Sequence, residues 1–172
     1  MLKKMLIPGP FMALLVAVTV LVRAADSSAP VPAPIQSVMT PYLQIHDALA
    51  KDSMDGVSDA AANLGKATKV DKAFPSELSQ EAQTLAQAKD LAAVRTAFKP
   101  LSATLIKVLA DNHVNSGAYV EAYCPMERAS WLQTGTTVSN PFGASMATCG
   151  TILTGKGGPA PGKMNCSMGC GM

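Results

Sequence analysis

Residues 90–108, D-L-A-A-V-R-T-A-F-K-P-L-S-A-T-L-I-K-V, carry apolar side chains at Leu91, Val94, Phe98, Leu101, Leu105 and Val108. Steps of three and four residues put all of these on one face of an α-helix. Asp90 offers an oxygen acceptor to the first-turn amides, so the helix starts directly behind it. Pro100 cannot donate to the carbonyl of Thr96, yet the apolar stripe keeps its phase across the proline. That predicts one kinked helix rather than two.

The same periodicity extends upstream. Ser76 opens a third helix after the Phe74-Pro75 break, with Leu78, Ala82 and Leu85 inward. A second helix has Met54, Val57, Ala61, Leu64 and Thr68 behind Asp52 or Ser53 as cap, with Gly65 weakening its last turn. The first has Val38, Tyr42, Ile45 and Leu49, with Thr40 as cap and Pro41 in the first turn, where its missing N–H costs nothing. Four amphipathic helices with short connections predict an all-α fold, a four-helix bundle.

Beyond Asn112 turn formers take over, at Asn115-Ser116-Gly117, Gly135, Asn140-Pro141, Gly143 and Gly150. An irregular Cys- and Met-bearing loop segment is expected here, with a short extended piece at Tyr119–Tyr123 and with Trp131 and Leu132 pinning it to the bundle. Ser27–Pro34 is small and proline-rich, so residues 25–37 read as a linker to a helical domain at residues 38–153. Gly155–Lys163 reads as a flexible tether within a tail at residues 154–172.

Lys3 and Lys4, the apolar run Phe11–Val22 and the small-residue site Val22-Arg23-Ala24 predict a secretory signal peptide over residues 1–24 and a periplasmic location. The run is shorter than the roughly 20 residues of a membrane-spanning helix. Without Lys3, Lys4 and Arg23 the chain keeps eleven basic side chains against twelve acidic ones. Its lysines are interspersed with acids, so there is no basic stripe for nucleic acid. Gly150, Gly155 and Lys156 imitate a phosphate-binding loop, but Gly157 stands where the Ser or Thr for magnesium belongs, which excludes nucleotide.

The chemistry-bearing residues are sulfurs. Cys124-Pro125-Met126 and Met146-Ala147-Thr148-Cys149 set two thiols and two thioethers in mirrored order, and Met164, Cys166, Met168, Cys170 and Met172 alternate at every second position. Cu(I) prefers polarisable thiolate and thioether, whereas zinc favours thiolate and imidazole. Pro125 supplies a bend between Cys124 and Met126, and Met146 and Cys149 share one helical turn. The competing reading is two disulfides, Cys124 with Cys149 and Cys166 with Cys170, as exported chains favour. His46 falls between core positions and is expected to bond a carbonyl, while His113 caps the fourth helix or joins a metal site. Cys124 with His113 lacks a third orienting residue for nucleophilic catalysis, so no enzyme is expected.

Tyr123-Cys124-Pro125-Met126, Trp131-Leu132-Gln133, Val138, Asn140-Pro141-Phe142-Gly143, Met146 and Cys149-Gly150 resemble a bacterial family once catalogued only as a domain of unknown function. That family looks like a periplasmic four-helix module, seen alone and at the end of adaptor subunits of heavy-metal efflux pumps. Members carry a second aromatic after Asn-Pro-Tyr, whereas Phe142 here is followed directly by Gly143. The resemblance implies heavy-metal traffic, copper above all.

The expectation is therefore a Cu(I)-binding protein that uses Cys124, Met126, Met146 and Cys149, with the tail as a second site. Its work would be sequestration, tolerance or hand-over to an efflux adaptor, an oxidase or another copper carrier. The alternatives are a disulfide-stapled interaction module of an export complex, and zinc buffering.

Overall fold

The computed structural model describes residues 31–114, 117–154 and 158–159. The expected signal peptide and the tail from Met164 to Met172 lie outside them. Four helices come first: α1 (Ala33–Leu49), α2 (Val57–Val70), α3 (Ser76–Gln87) and α4 (Leu91–Asp111). Each packs on the next. The α4 stripe is buried as its spacing requires, with Val94, Phe98, Leu101 and Leu105 removed from solvent. Burying each of these large side chains is worth about 1.5–3 kcal/mol. Asp90 Oδ1 accepts from the Ala93 N–H at 2.8 Å, and α4 continues through Pro100. In α3, Leu78, Ala82 and Leu85 all turn inward.

Two helix starts differ from expectation. The first helix begins at Ala33, so Pro34 occupies its first turn and Pro41 lies in its interior. Thr40 is not a cap; its hydroxyl donates to the Gln36 carbonyl at 3.0 Å. The cause is Ile35, which is buried with Val38 and Met39 and carries the apolar stripe one turn further than the linker reading allowed. The second helix is capped by neither Asp52 nor Ser53. Its N-cap is Gly56 in the left-handed region at φ 71°, where glycine is unstrained. Asp52 instead ends α1: the Ser53 and Asp52 amides donate to Ala48 and Leu49 carbonyls at 2.9 and 3.1 Å, a Schellman closure around a left-handed residue. Gly65 is buried against α3, and α2 runs past it to Val70.

The same closure stops α4. Val114 and His113 amides donate to Leu109 and Ala110 carbonyls at 2.9 and 3.1 Å, with His113 at φ 53°. The backbone of His113 makes this stop, and its side chain is exposed.

The region after α4 is not an irregular loop, and the fold is mostly helical rather than all-α. Three antiparallel strands, β1 (Val120–Cys124), β2 (Ala129–Gln133) and β3 (Thr151–Thr154), form a sheet extended by β4 (Gly158–Pro159), in the order β2-β1-β3-β4. Cys124 pairs with Ala129 and Ala122 with Trp131, while Tyr123 faces Thr151 on the other side. Along β1, Ala122 and Cys124 point into the core and Tyr123 between them does not, the period-two pattern of a strand. The expected extended piece at Tyr119–Tyr123 is thus the central strand.

Trp131 and Leu132 do pin this sheet to the bundle, and β2 packs on α4. Tyr42 stacks on Phe98 at 5.2 Å, Phe98 meets Phe142 at 6.2 Å, and Trp131 meets Phe142 edge-on at 5.9 Å. The Leu132 amide donates to the Tyr42 hydroxyl at 3.0 Å, and that hydroxyl also bonds Ser102 of α4. Burial pushes the Tyr42 phenol well above its ordinary range and outweighs the opposing effect of both bonds, so it stays protonated. Among the described residues no helix is long and apolar enough to cross a membrane.

Candidate metal centre

Cys124 is the last residue of β1, and Cys149 lies two residues before β3 begins, so strand pairing brings them side by side. Their sulfurs are 3.7 Å apart, and both side chains are buried. Gly150 permits this approach. Its φ is 140°, and a Cβ there would lie 2.9 Å from the Tyr123 carbonyl oxygen and 3.1 Å from the Trp131 ring. No side chain fits between those groups.

The loop before Cys149 is held by polar side chains with no freedom left. Asn140 is buried; its Nδ2 donates to the Cys149 carbonyl at 2.7 Å and its Oδ1 accepts from the Phe142 amide at 2.8 Å. Gln133 is buried too, with Oε1 accepting from Trp131 Nε1 and from the Ser139 amide, both at 3.0 Å. His46 Nε2 donates to the Ser139 carbonyl at 2.9 Å. It is the carbonyl-bonded imidazole that its core position predicts, and it ties α1 to the loop.

From α4, Arg95 Nε donates to the Pro141 carbonyl at 3.0 Å, and its Nη2 bonds Asp52 and the Leu49 carbonyl. One turn on, Lys99 reaches Glu127 at 2.5 Å and sits 5.4 Å from the centre of the Phe142 ring. The cysteines therefore rest on a frame fixed from α1, α4 and β2.

The thioethers are placed less uniformly. Met146 ends the 3₁₀ turn Ala144–Met146, and the Cys149 amide donates to its carbonyl at 2.7 Å, so the two are joined by one turn as their spacing predicts. Met146 is half-buried against the core. Met126 sits in the β1–β2 turn and is 62% exposed, although Cys124 two residues away is fully covered. Met164, Cys166, Met168, Cys170 and Met172 lie outside the described residues.

Cys124 is a free thiol. Cys149 is disulfide-bonded, and not to Cys124. The expected Cys124–Cys149 disulfide is therefore not formed here, since an S–S bond spans about 2.05 Å. Metal–thiolate bonds of the length zinc shows, about 2.3 Å, put two sulfurs roughly 3.8 Å apart at a tetrahedral angle and about 4.6 Å apart in line. The observed separation meets the tetrahedral end of that range once Cys149 is reduced. Among the described residues no group of three or more His, Cys, Asp or Glu could hold an ion. A metal at Cys124 and Cys149 thus needs thioether ligands or ligands from elsewhere.

Sequence reasoning found the sulfurs but not the groups that fix them. Asn140 and Gln133 bear ordinary amides whose burial shows only in the fold, and nothing in the spacing of Arg95 and Lys99 marks them as reaching the loop.

Residues 38–117 match a family described as a protein of unknown function (DUF3347). The match covers 80 of 172 residues, takes in most of α1 and all of α2 to α4, and stops before β1. It is consistent with a helical domain of uncharacterised role. Neither a curated protein nor a solved structure matches the chain.

Proposed function

We propose that this is an exported Cu(I)-binding protein that sequesters copper or hands it to an efflux adaptor or another copper-handling partner. The observation that carries the reading is the 3.7 Å approach of Cys124 and Cys149, with a methionine within three residues of each. Two thiolates and two thioethers form a soft donor set that favours Cu(I) over zinc. The exposed Met126 would exchange ligands with a partner while the covered thiols retain the ion. Both thiols must lose their protons on binding, and the Cys149 disulfide must first be reduced.

Titrating the reduced full chain against a chromogenic Cu(I) chelator tests this. The expected result is one tightly bound Cu(I) lost in Cys124→Ser, and affinity at least about tenfold weaker, or roughly 1.4 kcal/mol, in Met126→Leu plus Met146→Leu. No competition by the reduced wild type would end the proposal. The disulfide at Cys149 favours one rival, a stapled interaction module. That rival predicts the same missing competition and cysteines that ignore copper.

A further inference from the structure

The turn at residues 125–128 carries an exposed thioether and begins directly behind a covered thiol. Met126 is 62% exposed, whereas the Cys124 side chain has no accessible surface, so a reagent or an ion reaches the thiol only when a neighbouring segment moves. Cys124 pairs with Ala129 across the foot of the turn, and lifting the turn breaks that pair first. One side chain of α4 touches the covers of both cysteines. Lys99 Nζ is 2.5 Å from Glu127 Oε2 and 3.5 Å from the Glu127 carbonyl oxygen, both in the turn. The same Nζ lies 5.4 Å from the centre of the Phe142 ring, in the loop that leads to Cys149. We propose that Lys99 is a latch, a positioning residue whose release lifts the turn and opens the way to Cys124. Its purpose rests on the copper reading, since the latch would set how fast the ion enters and leaves without changing its ligands.

Three observations support this. The Lys99 and Glu127 side chains are 38% and 26% exposed, so water competes for the pair and the contact can break and re-form. Arg128 closes the turn at φ 49°, a left-handed backbone that a residue with a β-carbon adopts only at a cost, so the turn gains from an outside hold. The loop before Cys149 keeps its bonds from Arg95 and Asn140 when Lys99 lets go. The turn is therefore the part that moves.

The test exposes the full chain, as purified and free of metal, to N-ethylmaleimide in native buffer, and peptide mapping follows the label on Cys124. Lys99→Met keeps the apolar stem, removes the ammonium and should speed labelling about fivefold. Glu127→Gln should speed it less, since the Lys99 contacts with the Glu127 carbonyl and the Phe142 ring remain, and the double variant should match Lys99→Met. Lys107→Met, which breaks an ion pair with Asp111 further along α4, should leave the rate unchanged. In each protein the rate should stay level over roughly the first 1 M of urea, because lifting a turn exposes little surface. Equal labelling of wild type and Lys99→Met would overturn the latch, as would a rate that climbs with urea as steeply as global unfolding. In the reduced, copper-loaded chain, Lys99→Met should pass Cu(I) to the chelator faster by a similar factor at unchanged affinity. Failure to bind copper would strike the copper reading and leave the labelling result standing, whereas unresponsive labelling beside tight copper binding would strike the latch alone.

Discussion

A single missing side chain decides whether the two sulfurs can meet. Gly150 combines a φ of 140° with a backbone oxygen 2.9 Å from the place a Cβ would take. The Tyr123 carbonyl belongs to the central strand and cannot move without disturbing its pairing with Ser130 and Thr151. Gly150→Ala should therefore cost about 2–4 kcal/mol from backbone strain and overpacking, read as a lower midpoint in urea denaturation. A loss under about 0.5 kcal/mol would mean that this close approach is not a constraint. The sequence presented Gly150 only as one turn former among several. What distinguishes it is a contact with a residue 27 positions away, which no local pattern records.

At the scale of elements, the helices were legible because each has one buried face, and α4 followed its stripe from Asp90 to Asp111. The first helix was misjudged at its start because proline marks a first turn equally well at position 34 or 41, and only the burial of Ile35 separates the two. Strand β2 was missed for a different reason. Trp131, Leu132 and Gln133 are all buried in succession, since one side of the strand meets the bundle and the other meets the loop that Gln133 holds. Alternation, the usual strand signal, is thereby erased. The α3–α4 contact carries a testable charge. Burial, reinforced weakly by Glu77, pushes the Glu81 carboxyl above its usual value of 4.5 despite the Thr104 hydroxyl bonded to Oε1, and Oε2 has no hydrogen-bond partner among the described residues. The folded chain thus holds this proton to higher pH than the unfolded chain, so ionised Glu81 opposes folding. That penalty is absent below about pH 4 and grows as pH rises through and above the ordinary carboxylate value. Glu81→Gln should raise the urea midpoint at pH 7, with a gain that shrinks toward zero as pH falls below 4.5.

Over the whole molecule, bundle and sheet share one core. The ring series Tyr42, Phe98, Phe142 and Trp131 crosses from α1 and α4 into the loop and β2 without a solvent gap. The family match ends at residue 117, which suggests a separable helical unit, but the packing does not. A chain ending after Val114 should self-associate and lose a sharp cooperative transition, because Tyr42 loses its bond from Leu132 and Phe98 its contact with Phe142. Sedimentation and far-ultraviolet circular dichroism would check this; a monomer that unfolds cooperatively would refute it. The sulfur motif was legible as chemistry because ligand softness is a property of residue type. Its geometry was not, since neither the exposure of Met126 nor the frame around Cys149 follows from spacing.

The chain holds one tryptophan, and its ring lies against Gly150, the residue next to Cys149. Fully buried and edge-on to the Phe142 ring, that indole should emit at short wavelength. Contact with a disulfide or a bound cuprous ion should dim it. The protein thus carries its own optical gauge of what its cysteines are doing, readable without any attached dye.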